Sequence, residues 1–322
     1  FAAASGILNV GYQALQFNGS NQYVTFGAAT STLGAATFTL ETWVKRAAGG
    51  ATMTTGTDGF DNLGGRPFIY PVLTKGMGEG ETPANINTNY FLGITSTGYV
   101  GADFEDNATG LNHPVWGVTL VPVGEWHHIA ATYNGQTWNL YLDGVLDKTL
   151  TLSSAFTPQN LSIQHAGLAA GLNSTGGLGT GFFSGIIDEA RVWNYARSIS
   201  EIQSTINSEV ISGTGLLGRW GLNDGTGTSA ANSIGGSPAG TLTNTPTWVT
   251  PGAPFNISLT PPAAPTSLTA TAQSANQINL GWTDNSSNET NFEIERSTTG
   301  IAGTYSLLAT VTAGTTSYSD LT

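Results

Sequence analysis

Residues 126–144 read Trp126-His127-His128-Ile129-Ala130-Ala131-Thr132-Tyr133-Asn134-Gly135-Gln136-Thr137-Trp138-Asn139-Leu140-Tyr141-Leu142-Asp143-Gly144. A strand-like run from Trp126 to Tyr133 meets Asn134-Gly135, and a second run, Thr137 to Leu142, ends at Asp143-Gly144. Asn-Gly and Asp-Gly tolerate the positive φ that tight hairpin turns demand, so this stretch predicts consecutive antiparallel strands. The same period of two extends outward. Ala14-Leu15-Gln16-Phe17 leads through Asn18-Gly19 to Tyr23-Val24-Thr25-Phe26. In Phe38–Lys45, alternation places Phe38, Leu40, Thr42 and Val44 on one face and Glu41, Trp43 and Lys45 on the other. His127 and His128 likewise alternate, one toward a core and one away. An all-β fold, an antiparallel sandwich, is expected.

One segment breaks the rhythm. Ser198-Ile199-Ser200-Glu201-Ile202-Gln203-Ser204-Thr205-Ile206 spaces its apolar residues as a helix does. Ser198 stands three residues before Glu201, which is a capping-box pattern. A single short surface helix is expected there.

Composition supports this reading and narrows function. Of 322 residues only 9% are charged and 43 are Gly, while 8 Trp, 10 Tyr and 13 Phe are available to fill a core. Nine Lys and Arg against 21 Asp and Glu give a net charge of -12, with no basic stripe to follow phosphates. Nucleic acid and anionic membrane surfaces are therefore poor partners. No apolar run is long enough to insert in a membrane. Without cysteine the chain has no disulfides, thiolate nucleophiles or cysteine zinc sites. The four histidines show no HxH or HxxxH spacing, and Gly-x-Ser-x-Gly is absent. Between Thr245 and Pro265 lie six prolines, which predict a stiff linker over residues 251–263 between a domain of residues 1–250 and another of residues 264–322.

Four stretches occur in the order found in laminin-G-like, or concanavalin-A-like, jelly rolls. They are Ala14–Gly19, Trp126–Tyr133, Leu140–Gly144 and Phe183-Ser184-Gly185-Ile186-Ile187-Asp188-Glu189-Ala190-Arg191-Val192-Trp193. Residues 12–250 resemble that family, with Leu216–Gly225 similar to its closing strand. The second part resembles a fibronectin type III domain of immunoglobulin-like topology, through Pro265, Ile278-Asn279-Leu280-Gly281-Trp282 and Phe292-Glu293-Ile294-Glu295-Arg296. That resemblance ends before the last strands of such a domain, so an incomplete sandwich is expected, truncated or completed by another chain.

The first resemblance implies a superfamily that includes glycosidases, whose retaining members carry Glu-x-Asp-x-x-Glu on one strand. Here Ile186 and Arg191 stand at the two glutamate positions around Asp188. Asp188 and Glu189, as strand neighbours, are expected on opposite faces and unable to cooperate. A non-catalytic binding or adhesion segment of a larger secreted or surface-anchored bacterial protein is the reading that remains. Its partner is expected to be a glycan or a cell-surface protein, and its location extracellular or at the cell surface. The alternatives are a self-associating filament or sheath subunit and an accessory module of a hydrolase. Asp103, Glu105, Asn112, His113, Trp116, His165 and Asn173 are expected to line the ligand groove, since aromatic faces beside amide and carboxylate acceptors suit sugar hydroxyls. The loop of residues 75–89 offers hard oxygen ligands, as the calcium-binding loops of related pentraxin-type sandwiches do. Glu79, Glu81 and Asn87, with Asp188, are the candidate calcium ligands.

Overall fold

The computed structural model describes residues 12–78, 81, 87–176, 180–254, 263–286, 291–300, 303–312 and 314–321. Two compact units emerge, one spanning Tyr12–Phe255 and one containing the strands of residues 263–321. Residues 1–11, assigned from the sequence to the first domain, lie outside the described residues.

The first unit is the antiparallel sandwich expected. One sheet runs, in spatial order, Val145–Thr151, Thr137–Leu142, Trp126–Tyr133, Phe38–Arg46, Ser184–Trp193, Ala14–Asn18 and Thr247–Val249, with Leu216–Trp220 also paired to Ser184–Trp193. The other runs Ser229–Ala230, Gly240–Thr243, Tyr23–Gly27, Ala166–Leu168, Ile69–Lys75, Tyr90–Thr95, Tyr99–Asp103 and Val115–Leu120. Chain neighbours such as Ala14–Asn18 and Tyr23–Gly27 thus sit in opposite sheets, the connectivity of a jelly roll. Between the sheets, Leu15, Phe38, Leu40, Val44, Ile129, Trp138 and Leu140 meet Val24, Val72, Leu92, Ile94 and Ala102 in one buried cluster. Turn chemistry fixes the register. Asp143 and Gly144 both take positive φ, 52° and 73°, which pairs Leu142 with Val145.

The Ile199–Thr205 helix forms with its capping box intact: Glu201 N donates to Ser198 Oγ and Ser198 N to Glu201 Oε2. A further four-residue helix, Thr30–Leu33, has no counterpart in the sequence reading. The longer helix alters one expectation. It covers the outer face of the first sheet, so Glu41 and His128 are buried there and Trp43 nearly so. Trp43 Nε1 donates to Ile206 O at 2.9 Å, just beyond the helix. His128 is therefore the buried histidine of its pair, beneath the helix rather than between the sheets.

Residues 251–253, placed in the linker by sequence, are tied to the sandwich. Gly252 N donates to Tyr12 O, and Ala253 N to Asp188 Oδ2 at 2.8 Å. In the second unit, Thr266–Ser274, Gln277–Thr283 and Ser317–Asp320 make a three-stranded antiparallel sheet, and Asn291–Arg296 pairs with Ser306–Thr312. Trp282 packs on Phe292 with ring centroids 5.6 Å apart. Among the described residues no helix is long and apolar enough to cross a membrane.

Candidate functional site

Four of the seven expected groove residues come together, but as interior. Asp103 closes the Tyr99–Asp103 strand, Glu105 follows at the same-face spacing, and Asn112 is the bridge partner of Glu105. Asp103 and Glu105 are fully buried and Asn112 is 6% exposed. Asp103 Oδ2 accepts Thr55 Oγ1 at 2.5 Å, and its Oδ1 accepts His113 N at 2.9 Å. Burial, countered by the Thr55 hydrogen bond and reinforced by the nearby Glu105 charge, raises the Asp103 pKa well above its usual range. His113 lies against Phe156, ring centroids 4.0 Å apart, with Nε2 3.2 Å from Asp106 Oδ2. Trp116 stands edge-on to Phe60 at the rim of a separate apolar cluster. A loop of residues 55–59 closes over this hairpin, which strand spacing alone does not reveal.

His165 and Asn173 occupy a second locus with Glu81. Glu81 Oε2 accepts Ser174 N and Gln164 Nε2, each at 2.9 Å. Burial pushes the Glu81 carboxyl up, but the Ser174 and Gln164 bonds outweigh it and hold the pKa below its ordinary value. His165 Nδ1 is 2.9 Å from Thr25 Oγ1, and Asn173 Oδ1 accepts Thr175 N at 3.0 Å. These polar groups are half-buried and engaged in holding loops. Beside them Lys75 is wholly buried, its ammonium donating to Ala28 O, Ser162 O and Gln164 O. Burial lowers its pKa to about 8.

The four expected metal ligands do not form one set. Glu79 lies outside the described residues. Glu81 belongs to the second locus, and Asn87 sits against Gly110 in the acidic hairpin. Asp188 lies in the first sheet, fully buried, where its Oδ atoms accept Glu189 N and Ala253 N, both at 2.8 Å. No three His, Asp or Glu side chains converge as a metal centre among the described residues.

The expectation that Asp188 and Glu189 face opposite ways is corrected by a bulge. Register shifts between Asp188 and Arg191, Glu189 takes φ 50°, and both carboxylates come under the influence of Arg219. Glu189 Oε2 accepts Arg191 Nη2 at 3.0 Å and Arg219 Nε at 3.1 Å. Glu41 Oε1 accepts Arg197 Nη1 at 2.7 Å and Trp193 Nε1 at 2.8 Å. Each of these carboxylates is buried and bonded to guanidinium, so the network serves as the seat of the helix and is closed to substrate.

The open polar depression is at the opposite end of the sandwich and was not foreseen from sequence. It has a volume of about 60 Å³ and is lined by Arg46, Tyr70, Ser96 and Ser184, with Ile94 and Phe183 as apolar floor. Arg46 meets no carboxylate among the described residues; its Nε is shielded from solvent without a partner, and burial lowers its pKa. In a chain with nine cationic side chains, of which Arg66, Arg191, Arg197, Arg219 and Arg296 are ion-paired, that scarcity was the available signal.

Residues 18–203, more than half of the chain, match the family described as the concanavalin A-like lectin/glucanases superfamily, and the chain belongs to it. Among solved structures it is similar to a candidate carbohydrate-binding protein from Bacteroides ovatus, at 17% identity and TM-score 0.50 over 76% of this chain and 61% of that one. The chain thus spans about three fifths of that protein, and the likeness is one of fold. It is also similar to the CBM40 module of a Ruminococcus gnavus sialidase bound to α2,3-sialyllactose, at 17% identity and TM-score 0.44 over 60% and 96% of the two chains. A pentraxin from Limulus polyphemus is similar at 12% identity and TM-score 0.39 over 62% and 83%. No curated protein matches the chain.

Proposed function

We propose that the chain is a non-catalytic, extracellular glycan-binding segment of a larger bacterial protein, and that saccharide binds at the Arg46–Tyr70 depression. The carrying observation is the Arg46 guanidinium, without a carboxylate partner among the described residues, in an open cleft beside a tyrosine and two serines. An aromatic face, hydroxyls and fixed donors are the groups that recognise sugar hydroxyls, and arginine adds a fork for a carboxylate. The cleft admits one edge of a saccharide rather than a whole ring. Membership in a superfamily of lectins and glucanases supports the ligand class. The buried, arginine-bonded state of Glu41 and Glu189 favours binding over hydrolysis. We read residues 264–322 as the opening strands of a fibronectin type III spacer.

The test is binding of the whole chain to a broad panel of neutral and acidic saccharides, with Arg46→Ala and Tyr70→Ala beside it. Binding weakened tenfold or more by Arg46→Ala, with thermal stability unchanged, is the expected result. Saccharide binding indifferent to both substitutions, or none at all, overturns the assignment. Self-association is favoured by one observation: Thr266–Ser274 is exposed at every residue, and Leu268 and Leu307 are 44% and 58% exposed. Light scattering across a concentration series decides it, since a monomer throughout removes that reading.

A further inference from the structure

We infer that the Asp147 carboxylate is a built-in stop against strand addition: it occupies the edge strand Val115–Leu120, which would otherwise pair with a second copy of this chain. Val115–Leu120 ends one sheet and Val145–Thr151 ends the other, side by side at one flank of the sandwich. An edge strand offers its backbone N–H and C=O groups to any strand that meets it, and natural edges are blunted by charges, bulges or cover. Val115–Leu120 has particular need of such protection. From residue 107 to residue 124 the sequence holds no Asp, Glu, Lys or Arg. Within that stretch Val115-Trp116-Gly117-Val118-Thr119-Leu120-Val121 is β-prone and uncharged, bounded by Pro114 and Pro122. A segment of this composition pairs readily with copies of itself. Val118 and Leu120 are 67% and 55% exposed, ready to be covered by such a partner. The net charge of -12 lies elsewhere in the chain, so no like charge on this strand opposes a copy laid against it.

The protecting charge comes from the other sheet. Leu146 pairs with Tyr141 and Lys148 with Leu140, which leaves Asp147 as the extra residue of a bulge. Its Oδ2 accepts Val118 N and its Oδ1 accepts Thr119 N, both at 3.0 Å. Consecutive amides of a regular strand point to opposite sides and could not both reach one carboxylate. Here they do, because Val115–Leu120 bulges as well: Tyr99 pairs with Leu120 but Gly101 with Trp116, two steps against four. Gly117 makes the room. A Cβ there would overlap Asp147 Oδ2 and lie 3.0 Å from its Cγ. The φ of Gly117 is not positive, so alanine is excluded there by the carboxylate and not by the backbone. Lys148, exposed on Val145–Thr151, charges that edge from within its own strand, whereas Val115–Leu120 borrows its charge from Asp147. Two bonds to an ionised acceptor hold the amides more firmly than a neutral strand partner would. The inference does not rest on the saccharide reading, since its readout is association rather than sugar binding.

The test follows the whole chain by sedimentation velocity across a concentration series, with hydrogen exchange read over residues 115–121. In the parent, the Val118 and Thr119 amides are expected to exchange roughly a hundredfold slower than exposed loop amides, although their strand is an edge. Asp147→Ala bares these amides, and Gly117→Ala expels the same carboxylate without altering it. Both variants should associate at concentrations about tenfold below those the parent requires, and the two amides should regain protection in the associated form. Asp147→Ala combined with Val118→Lys puts a charge back on the strand and should restore the parent's behaviour. That rescue separates pairing at this edge from misfolding and from any association through Thr266–Ser274. Folded variants whose association matches the parent's overturn the proposal, and association that the added lysine leaves unchanged does the same. Rapid exchange of Val118 and Thr119 in the parent overturns it even if neither variant folds.

Discussion

At the scale of single residues, the interior is unusual in how many charges it encloses and how differently each is accommodated. Lys75 meets three backbone carbonyls and no carboxylate, so it acts as an internal cross-link among the loops around Ala28, Ser162 and Gln164. Lys75→Met keeps the aliphatic stem but leaves those carbonyls without a donor. A loss on the order of 2–4 kcal/mol in chemical denaturation is expected. His128 makes the opposite accommodation. Burial, partly opposed by Glu41, lowers its pKa from 6.5 to about 4, so it stays neutral in the folded chain. The unfolded histidine binds a proton first as pH falls. This contribution is thus fully present above pH 6.5 and is lost progressively toward pH 4, by roughly 3 kcal/mol. Glu41 is held below its usual pKa although burial, the largest influence, raises it; the Arg191 and Arg197 guanidinium groups and the Trp193 hydrogen bond prevail. Its own stabilisation is therefore lost only at lower pH than the start of the histidine window. Thermal midpoints of the parent should fall between pH 6.5 and 4.5, and His128→Gln should flatten that slope. An unchanged slope would detach His128 from acid sensitivity.

At the scale of elements, the hairpins and the helix show how far local chemistry reaches. Asp143 and Gly144 adopt the two positive φ angles that Asp-Gly announces, and Gly144→Ala should cost about 1 kcal/mol by forcing a Cβ into the left-handed region. Ser198→Ala should cost about 1 kcal/mol through the lost cap, read as a lower midpoint with unchanged strand signal. These features were legible because each is decided within four residues of itself. The strands and the inward face of Phe38–Val44 were legible for the same reason. The role of the outer face was not. Glu41 and Trp43 look solvent-facing by alternation, and their cover arrives about 160 residues later in the chain. Likewise Asp103, Glu105 and Asn112 read as groove residues because acids and amides usually face water, yet the loop of residues 55–59 seals them in. The Glu189 bulge escaped notice because strict alternation has no place for an extra residue. Arg46 drew no attention, since the scarcity of cationic side chains marks it only weakly and its missing partner is seen only in the fold.

At the scale of the whole sandwich, closure depends on two short stretches from opposite ends of the unit. Ala14 pairs with Val249 and Leu15 with Trp248, while Gly252 and Ala253 fasten to Tyr12 and Asp188. A chain ending at residue 246 would lose this strand and the donor that meets a buried carboxylate. Its thermal midpoint should fall by several degrees against a chain ending at residue 254, whereas equal midpoints would show the last strand to be ornamental. The same pairing has a mechanical meaning. The polypeptide enters and leaves the sandwich side by side, on adjacent antiparallel strands. A pull between residues 12 and 254 does not shear a row of hydrogen bonds together; it parts Thr247–Val249 from Ala14–Asn18 one bond at a time, like a zipper. Tension carried along the polypeptide would open this edge at low force, long before the central strands that hold the core bear any load.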